Sequence, residues 1–539
     1  MKNIRIALLL GACLLSASAS AVTVQLKWAG AQALELSYIL PAQCQRLSFR
    51  VDSPAYRRIR SGWQPLDDCA ALEGGDVVTK GAACRTLRFR VPVSTDKVEG
   101  YPGAFPVGEG IYLHTSKYAV GAACGKVDYR FAAPGSIGMQ GSLFDGNAAS
   151  ADGDNIAVLL MPRKLDASAA PIYVDPALPL ASAEQVRCVA EETMSFYRRT
   201  MPSAHFRQPI LTAAAVKVDG GVNIGGDAAD VMRLSFFNWP LHPTPREQGK
   251  LALLVSHEIS HRFQLRDELD DYPQQRLIHE GGGEFLRWYA GLQLGWLTAE
   301  QAAADLDNAL ADCQLGTAGK AWSELSRATV AMEKLDYSCG LAAYVYGLAA
   351  RQGQGSALAR IAAFYSELGQ GNKPPFEQTL ACGVGLPCSS RLGSLLGSAG
   401  PMAAQWESML DETGFARRTA PGAAHAEALM ARALKQLVQD DCGGKFDAIP
   451  SIDGMQLFTL PSCASLKHDL FVTRVEGHAL YGDAHGPAAM AEACRQRGAV
   501  RLEGGDGATL TVACRRPYQP VIAYFSADVH RILKALDRP

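Results

Sequence analysis

The chain has 539 residues, of which 48% are hydrophobic and 20% charged, and its formal net charge is −2. That balance excludes a mainly disordered, collagen-like or coiled-coil protein, and at ~100–200 residues per domain the length makes room for about three domains. The near-neutral charge gives no pointer to nucleic acid or to an acidic membrane surface.

Lys2 and Arg5 precede an apolar run from Ile6 to Leu15, and small residues follow up to Ala21. This is the layout of a secretory signal peptide over residues 1–21, with the mature chain starting at Val22. The apolar run is shorter than the ~20 residues that span a bilayer. Leu10-Gly11-Ala12-Cys13 also resembles a bacterial lipobox, so a lipid anchor through Cys13 stands as the alternative. No later segment reads as a transmembrane helix. The expected location is the periplasm or the outside of the cell, where disulfides persist. The sequence holds 14 cysteines. Near neighbours suggest the pairs Cys44–Cys69, Cys84–Cys124, Cys382–Cys388, Cys442–Cys463 and Cys494–Cys514, with Cys188, Cys313 and Cys339 left over, although spacing alone does not set connectivity.

Residues 22–170 read as an N-terminal β-sandwich-like domain. Alternating runs such as Val22–Lys27, Leu87–Val93 and Ile111–Thr115 stand between Gly, Pro and Asp clusters, and Ala148–Asp154 reads as a loop. Helical spacing dominates residues 171–435: Ser182–Met201, Pro243–Phe263, Gln275–Leu294, Thr298–Cys313, Tyr337–Arg351, Gly355–Leu368 and Ala403–Asp440, with strands and turns over Val216–Trp239. Residues 436–539 switch to short strands, Leu470–Val475, Ala499–Leu502 and Leu510–Ala513, around a helix at Pro487–Arg497. The fold class is α+β and multidomain.

The strongest chemical signal is His257-Glu258-Ile259-Ser260-His261 at the end of a helical stretch. Residues four apart share a helix face, so both imidazoles can reach one zinc ion at ~2.0–2.1 Å. Glu258, one residue on, points beside the metal and can take a proton from water as general base. Glu280 is the candidate third metal ligand, separated from His261 by the eighteen residues Arg262 to His279, with His279 as a rival. A His-His-Glu set leaves a fourth position open, as catalytic zinc requires. Glu284, one turn after Glu280, is either a support that holds a ligand imidazole or a solvated helix charge.

These residues resemble the gluzincin metallopeptidases of the aminopeptidase N and leukotriene hydrolase type, whose signature is HExxH, eighteen residues, then Glu. Their N-E-G-F-A motif is similar to His279-Glu280-Gly281 followed by Phe285, with histidine in place of asparagine. Their Y-x-K-G motif is similar to Tyr337-Ser338-Cys339-Gly340, with cysteine in place of lysine. The resemblance implies that Tyr337 stabilises the oxyanion, with Tyr344 and Tyr346 as neighbouring alternatives. The family's G-x-M-E-N loop holds the substrate amine through its glutamate. Gly225-Gly226-Asp227-Ala228-Ala229-Asp230 stands at that distance without the glutamate, so Asp227 or Asp230 would have to supply the charge. The order of domains is similar to the glycyl aminopeptidase family, which implies a thermolysin-like, mostly helical catalytic domain and a small C-terminal PDZ-like β domain; Val472–Gly477 fits the strand and turn before a PDZ helix. The implied function is an exported zinc metallopeptidase acting on peptide or protein substrates, with aminopeptidase action as one mode. The alternatives are a zinc hydrolase of a non-peptide amide, ester or epoxide, and a non-catalytic peptide-binding scaffold.

Overall fold

The computed structural model describes residues 21–42, 44–81, 83–96, 98, 100–150, 153–166, 171–351, 355–383, 391–397, 399–520 and 522–538. Residues 1–20 of the expected leader, Cys13 included, lie outside them, as does Cys388 of the expected Cys382–Cys388 pair. The chain divides into two compact units, Met1–Met139 with Leu143–Leu165, and Gln140–Ser142 with Asp166–Pro539.

The first unit is built on strict alternation. In Thr86–Pro92 every second side chain, Leu87, Phe89 and Val91, is buried, and in Val22–Trp28 the inward set is Val22, Val24 and Leu26. A sheet of nine strands runs Gln64–Pro65, Thr86–Pro92, Ala33–Ile39, Val22–Trp28, Val127–Met139, Ala157–Leu160, Gly110–His114, Ala104–Val107, with Ser142–Ser150 paired to Val127–Met139. A second sheet of Arg46–Leu47, Asp76–Thr79 and Ala70–Glu73 contributes Leu47, Val77 and Ala70 to the same apolar core. The expected loop at Ala148–Asp154 is corrected in its first residues, since Ala148 to Ser150 end a strand. Their side chains are small and none is fully buried, so no hydrophobic alternation marked them.

Two expected disulfides are also corrected. The bridges are Cys44–Cys124 and Cys69–Cys84. Backbone pairing is the reason. Phe49 bridges to Val120 and Gly121 N donates to Ser48 O, which brings the segment after Cys44 beside Cys124. A tight hairpin, Ala70–Glu73 with Asp76–Thr79, returns the chain to Cys69. In the second unit Cys442–Cys463 and Cys494–Cys514 form as expected, and the leftover Cys313 and Cys339 join each other. Cys188 is exposed and unbridged.

The second unit opens with a four-stranded sheet ordered Ile172–Val174, Ile210–Val216, Val231–Phe237, Asn223–Asp227; the first three are parallel and Asn223–Asp227 runs antiparallel at the edge. The helices Leu180–Thr200, Pro245–Ser260, Gly282–Gln293, Ala299–Thr317 and Leu335–Ala349 bury one large core with that sheet. A smaller core lies between the helix Ala426–Asp441, the helix Gly486–Arg497 and a sheet ordered Ala448–Pro450, Met455–Leu457, Leu470–Val475, Ala499–Gly504, Thr509–Ala513. The helix Ala426–Asp441 runs through the boundary expected at residue 436.

The end of the chain does not stay with that small sheet. Tyr524–Ala527 pairs antiparallel with Ala416–Thr419, a strand inside the stretch Ala403–Asp440 that reads as helix from sequence. Three side chains of the helical core satisfy this strand's backbone. Asp307 Oδ1 accepts from Ala527 N at 2.9 Å, His425 Nε2 lies 2.9 Å from Phe525 O, and Gln314 Nε2 donates to Ala523 O at 3.0 Å. The final helix, Val529–Leu536, buries Val529, Ile532, Ala535 and Leu536 in the large core. Arg351 caps it, donating to Leu536 O and Arg538 O at 3.0 Å each. No helix among the described residues is long and apolar enough to cross a membrane.

Asp307 is buried, and burial pushes its carboxyl up to about 7, with the Ala527 amide pulling the other way. The folded state therefore holds a proton there that the unfolded chain has already lost above its ordinary value near 4. Stability should fall as pH rises from about 4 to about 7 and then level off. Asp307→Asn keeps an acceptor for Ala527 and removes the charge, so it should flatten this part of a Tm-against-pH curve and raise Tm at pH 8. A parallel curve for the variant would contradict the assignment.

Candidate metal and active site

The helix Pro245–Ser260 starts on a capping box: Thr244 accepts from Glu247 N, and the Glu247 carboxylate accepts from Thr244 N. Leu251, Val255 and Ile259 anchor its apolar face at full burial, which turns His257 and His261 to one side. The helix ends at His261. Glu280 comes from a π-helical turn, Leu277–Gly281, that leads into the helix Gly282–Gln293. Such turns widen a helix locally and often mark functional positions.

His257, His261 and Glu280 converge. The two Nε2 atoms are 3.1 Å apart, and Glu280 Oε2 lies 3.5 Å from that of His257 and 3.7 Å from that of His261. Ligands around a tetrahedral zinc with bonds of ~2.0–2.1 Å stand about 3.3–3.4 Å apart, so the spacing fits. The proton inventory fits as well. His261 Nδ1 faces Gln264 Oε1 at 2.7 Å, and His257 Nδ1 faces Glu284 Oε1 at 3.0 Å. A neutral ring at either position would therefore carry its proton on Nδ1 and turn a bare Nε2 toward the other and toward a carboxylate. Three electron-rich atoms facing one another demand positive charge between them. The same demand appears in His257: burial opposes its charged form, but Glu280 and Glu284 outweigh that and push it up to about 10. His261, where burial dominates, is held well below the usual histidine value.

His279 is not the third member of the cluster. Its ring stacks on His261 at 4.0 Å between centroids, and its Nδ1 is 3.5 Å from Glu280 Oε1. Glu284 is a support. Its other oxygen accepts from Arg287 Nε at 2.9 Å, and Arg287 Nη1 donates to Asp305 Oδ2 at 3.0 Å. Burial pushes the Glu284 carboxyl up, yet Arg287 and His257 bring it down to about 2, so it stays ionised.

Glu258 is buried at the edge strand Asn223–Asp227. A Cβ on Gly226 would lie 2.5 Å from its Cγ and 2.6 Å from its Oε1, so only glycine admits the carboxylate there. Burial pushes Glu258 up to about 8; Asp227 and Glu280 add to the rise, and His257 and Arg233 oppose it. Such a group can both take and return a proton near neutrality. Gly225 faces open space. Asp227 accepts from Arg233 Nε at 2.7 Å, and Asp230 pairs with Arg262.

Tyr337 is the tyrosine beside the cluster. Its ring lies 5.9 Å from that of His257 and is tilted by 21°. Burial first, then Glu280, Asp336 and Glu258, hold its hydroxyl far above the ordinary tyrosine pKa, so it remains a donor. Tyr344 and Tyr346 are fully buried; Tyr344 donates to Ile278 O at 2.9 Å.

The motifs include Gly281 and Gly340, but nothing in their pattern assigns a role to either, nor to Gly282 and Gly283. A Cβ on Gly281 would meet Gly340 Cα at 2.6 Å, one on Gly282 would meet Gln264 Nε2 at 2.9 Å, and one on Gly283 would meet His257 Cε1 at 2.9 Å and His261 Cε1 at 3.0 Å. Three successive glycines in a helix are unfavourable by about 1 kcal/mol each relative to alanine. That anomaly was the available signal of close packing. Here each glycine admits a different part of the site.

The chain is similar to a solved aminopeptidase N family protein from Idiomarina loihiensis, with TM-score 0.56 and 11% identity over 96% of this chain and 100% of that one. An M1 zinc metallopeptidase from Deinococcus radiodurans aligns at 12% identity over 72% of this chain and 92% of that one, with TM-score 0.32. No protein-family model and no curated protein sequence matches. The likeness to the first structure is one of fold: the chain shares the fold of that aminopeptidase N family protein.

Gly340→Ala should push the π-helical turn away from the helix Leu335–Ala349 and loosen Glu280. The expected result is zinc lost on dialysis that retains it in the wild type. Gly249→Ala is the control, because a Cβ there meets nothing within 4 Å. In the middle of the helix Pro245–Ser260 it should stabilise by ~0.5–1 kcal/mol and leave zinc content unchanged.

Proposed function

We propose that this M1-like gluzincin fold carries an exported zinc-dependent peptidase. The observation that supports it most is the meeting of His257 Nε2, His261 Nε2 and Glu280 Oε2 within 3.1–3.7 Å, each imidazole with its proton turned away, and with Glu258 alongside. His257, His261 and Glu280 would hold the zinc, which when bound supplies Lewis acidity to water and to the scissile carbonyl. Glu258 takes the proton of the attacking water and passes it to the leaving amine. Tyr337 donates its hydroxyl proton to the oxygen that becomes negative. Glu284, braced by Arg287, keeps His257 in the tautomer with Nε2 bare.

Internal cleavage is the mode we favour. Trimming from a free amino terminus would need Asp227 or Asp230 to hold the amine, and each already faces an arginine. The small C-terminal sheet is the PDZ-like part of the reading. It meets the approach to the edge strand, where Ile452 N donates to Val222 O at 2.9 Å and Phe471 packs on Gly221. A peptide added to that sheet would be presented on the side from which the strand enters. Export is supported by five disulfide bridges among the described residues.

Mass-spectrometric digestion of a mixed peptide library by the zinc-loaded protein should show internal cuts. Glu258→Gln should keep its zinc and lose ~10²–10⁴-fold in turnover. Tyr337→Phe should lose ~10²–10³-fold, again with zinc retained. His261→Ala should lose tight zinc binding. Amino-terminal trimming would restore Asp227 or Asp230 as the amine anchor, and an inert wild type would remove the peptidase reading. The exported protein should begin at Val22; an acylated Cys13 would instead make it a lipoprotein.

A further inference from the structure

Arg276 stands four residues before Glu280, with helical backbone at φ −66° and ψ −40°, and so on the same side of the helix. Its Nε donates to Asp336 Oδ2 at 2.8 Å, and its Nη2 lies 2.5 Å from the same oxygen. Asp336 is the residue before Tyr337. The pair thus joins the turn that carries Glu280 to the helix that carries Tyr337, and Glu280 and Tyr337 lie within electrostatic reach of its guanidinium.

This ion pair is lopsided. The Asp336 side chain is 0% exposed, whereas 41% of the Arg276 side chain is open to solvent. Asp336 takes one edge of the guanidinium, and Nη1 makes no hydrogen bond among the described residues. A planar guanidinium presents two edges, each able to receive a carboxylate. The guanidinium stands within electrostatic reach of Glu280, in a site that also holds Glu258 and Glu284, where an acidic substrate group would be repelled unless a cation received it. Arg266 is a second cation within electrostatic reach of the His279 ring, which stacks on His261.

We propose that Arg276 determines specificity, its open guanidinium edge receiving a carboxylate of the substrate close to the scissile bond. The proposal rests on the peptidase reading above. The carboxylate belongs either to an acidic side chain or to the substrate's C-terminus; the recognition chemistry is the same.

The test uses matched peptides with Glu or Gln on each side of the cleaved bond, each with a free or an amidated C-terminus. A charge-assisted contact should give the zinc-loaded wild type a preference of about ten- to hundred-fold in kcat/KM for the carboxylate form, expressed mainly in KM. Loss on Glu-to-Gln exchange identifies a side chain, and loss on amidation identifies the C-terminus. Arg276→Met combined with Asp336→Asn removes the guanidinium without stranding a buried charge, and should bring the ratio to about one. Arg276→Lys, which keeps the charge but not the fork, should give an intermediate ratio. Calorimetric binding of the same peptides to zinc-loaded Glu258→Gln reads the preference without turnover, so an inert wild type would overturn the peptidase reading and leave this measurement standing. No preference in the wild type, or an unchanged ratio in the double variant and in Arg276→Lys, overturns the role of Arg276.

Discussion

Gly281 and Gly340 touch backbone to backbone, and the arrangement of the site depends on that contact. Neither carries a Cβ, and a Cβ on Gly340 would sit 2.4 Å from Gly281 Cα. The approach brings the π-helical turn of Glu280 against the helix of Tyr337, so the third carboxylate and the tyrosine reach the histidines together. Other forces reinforce the contact. Arg276 and Asp336 pair across it, Tyr344 donates to Ile278 O at 2.9 Å, and the bridge Cys313–Cys339 ties the tyrosine helix to the helix Ala299–Thr317. Each would be ineffective if side chains held the two backbones apart, because interiors pack too densely to absorb an extra methyl group.

The electrostatic design follows from this crowding. Glu258, Glu280 and Glu284 are gathered around two imidazoles in a largely dry space, where isolated charge is expensive. The chain divides the burden. Glu284 is neutralised outward through Arg287 and Asp305, while Glu258 lies against the edge strand with Asp227 and Arg233 close by. Glu280 and the bare Nε2 atoms are left facing inward, a negative cradle that a divalent cation completes. The three carboxylates thus differ in their surroundings: Glu284 is braced behind His257, Glu280 faces the two Nε2 atoms, and Glu258 lies beside the edge strand.

The short peptide signals were legible in the sequence. Spacing four apart on a helix brought His257 and His261 to one face, and the family-like distance to Glu280 named the third carboxylate. Most helices and strands were legible too, because apolar period and Gly or Pro breaks are local properties. What escaped was non-local. Cys44 meets Cys124, 80 residues away, because a β-bridge aligns their segments, and nothing near either cysteine encodes it. The strand Ala416–Thr419 lies among helices and is defined only by its partner Tyr524–Ala527. That partner takes the end of the chain away from the small C-terminal sheet and into the helical core.

The sequence by itself therefore determined which residues are the candidates for metal binding and proton transfer, since these follow from residue types at fixed helical spacing. Tertiary structure alone decided what surrounds them. It paired Asp227 and Asp230 with arginines, brought the Tyr337 ring beside His257, and set Glu284 behind that histidine. It also left Arg276 partly exposed within electrostatic reach of Glu280 and Tyr337. The physical reason is that charge pairing and burial depend on which side chains meet across distant segments, and a backbone contact between two glycines governs that meeting.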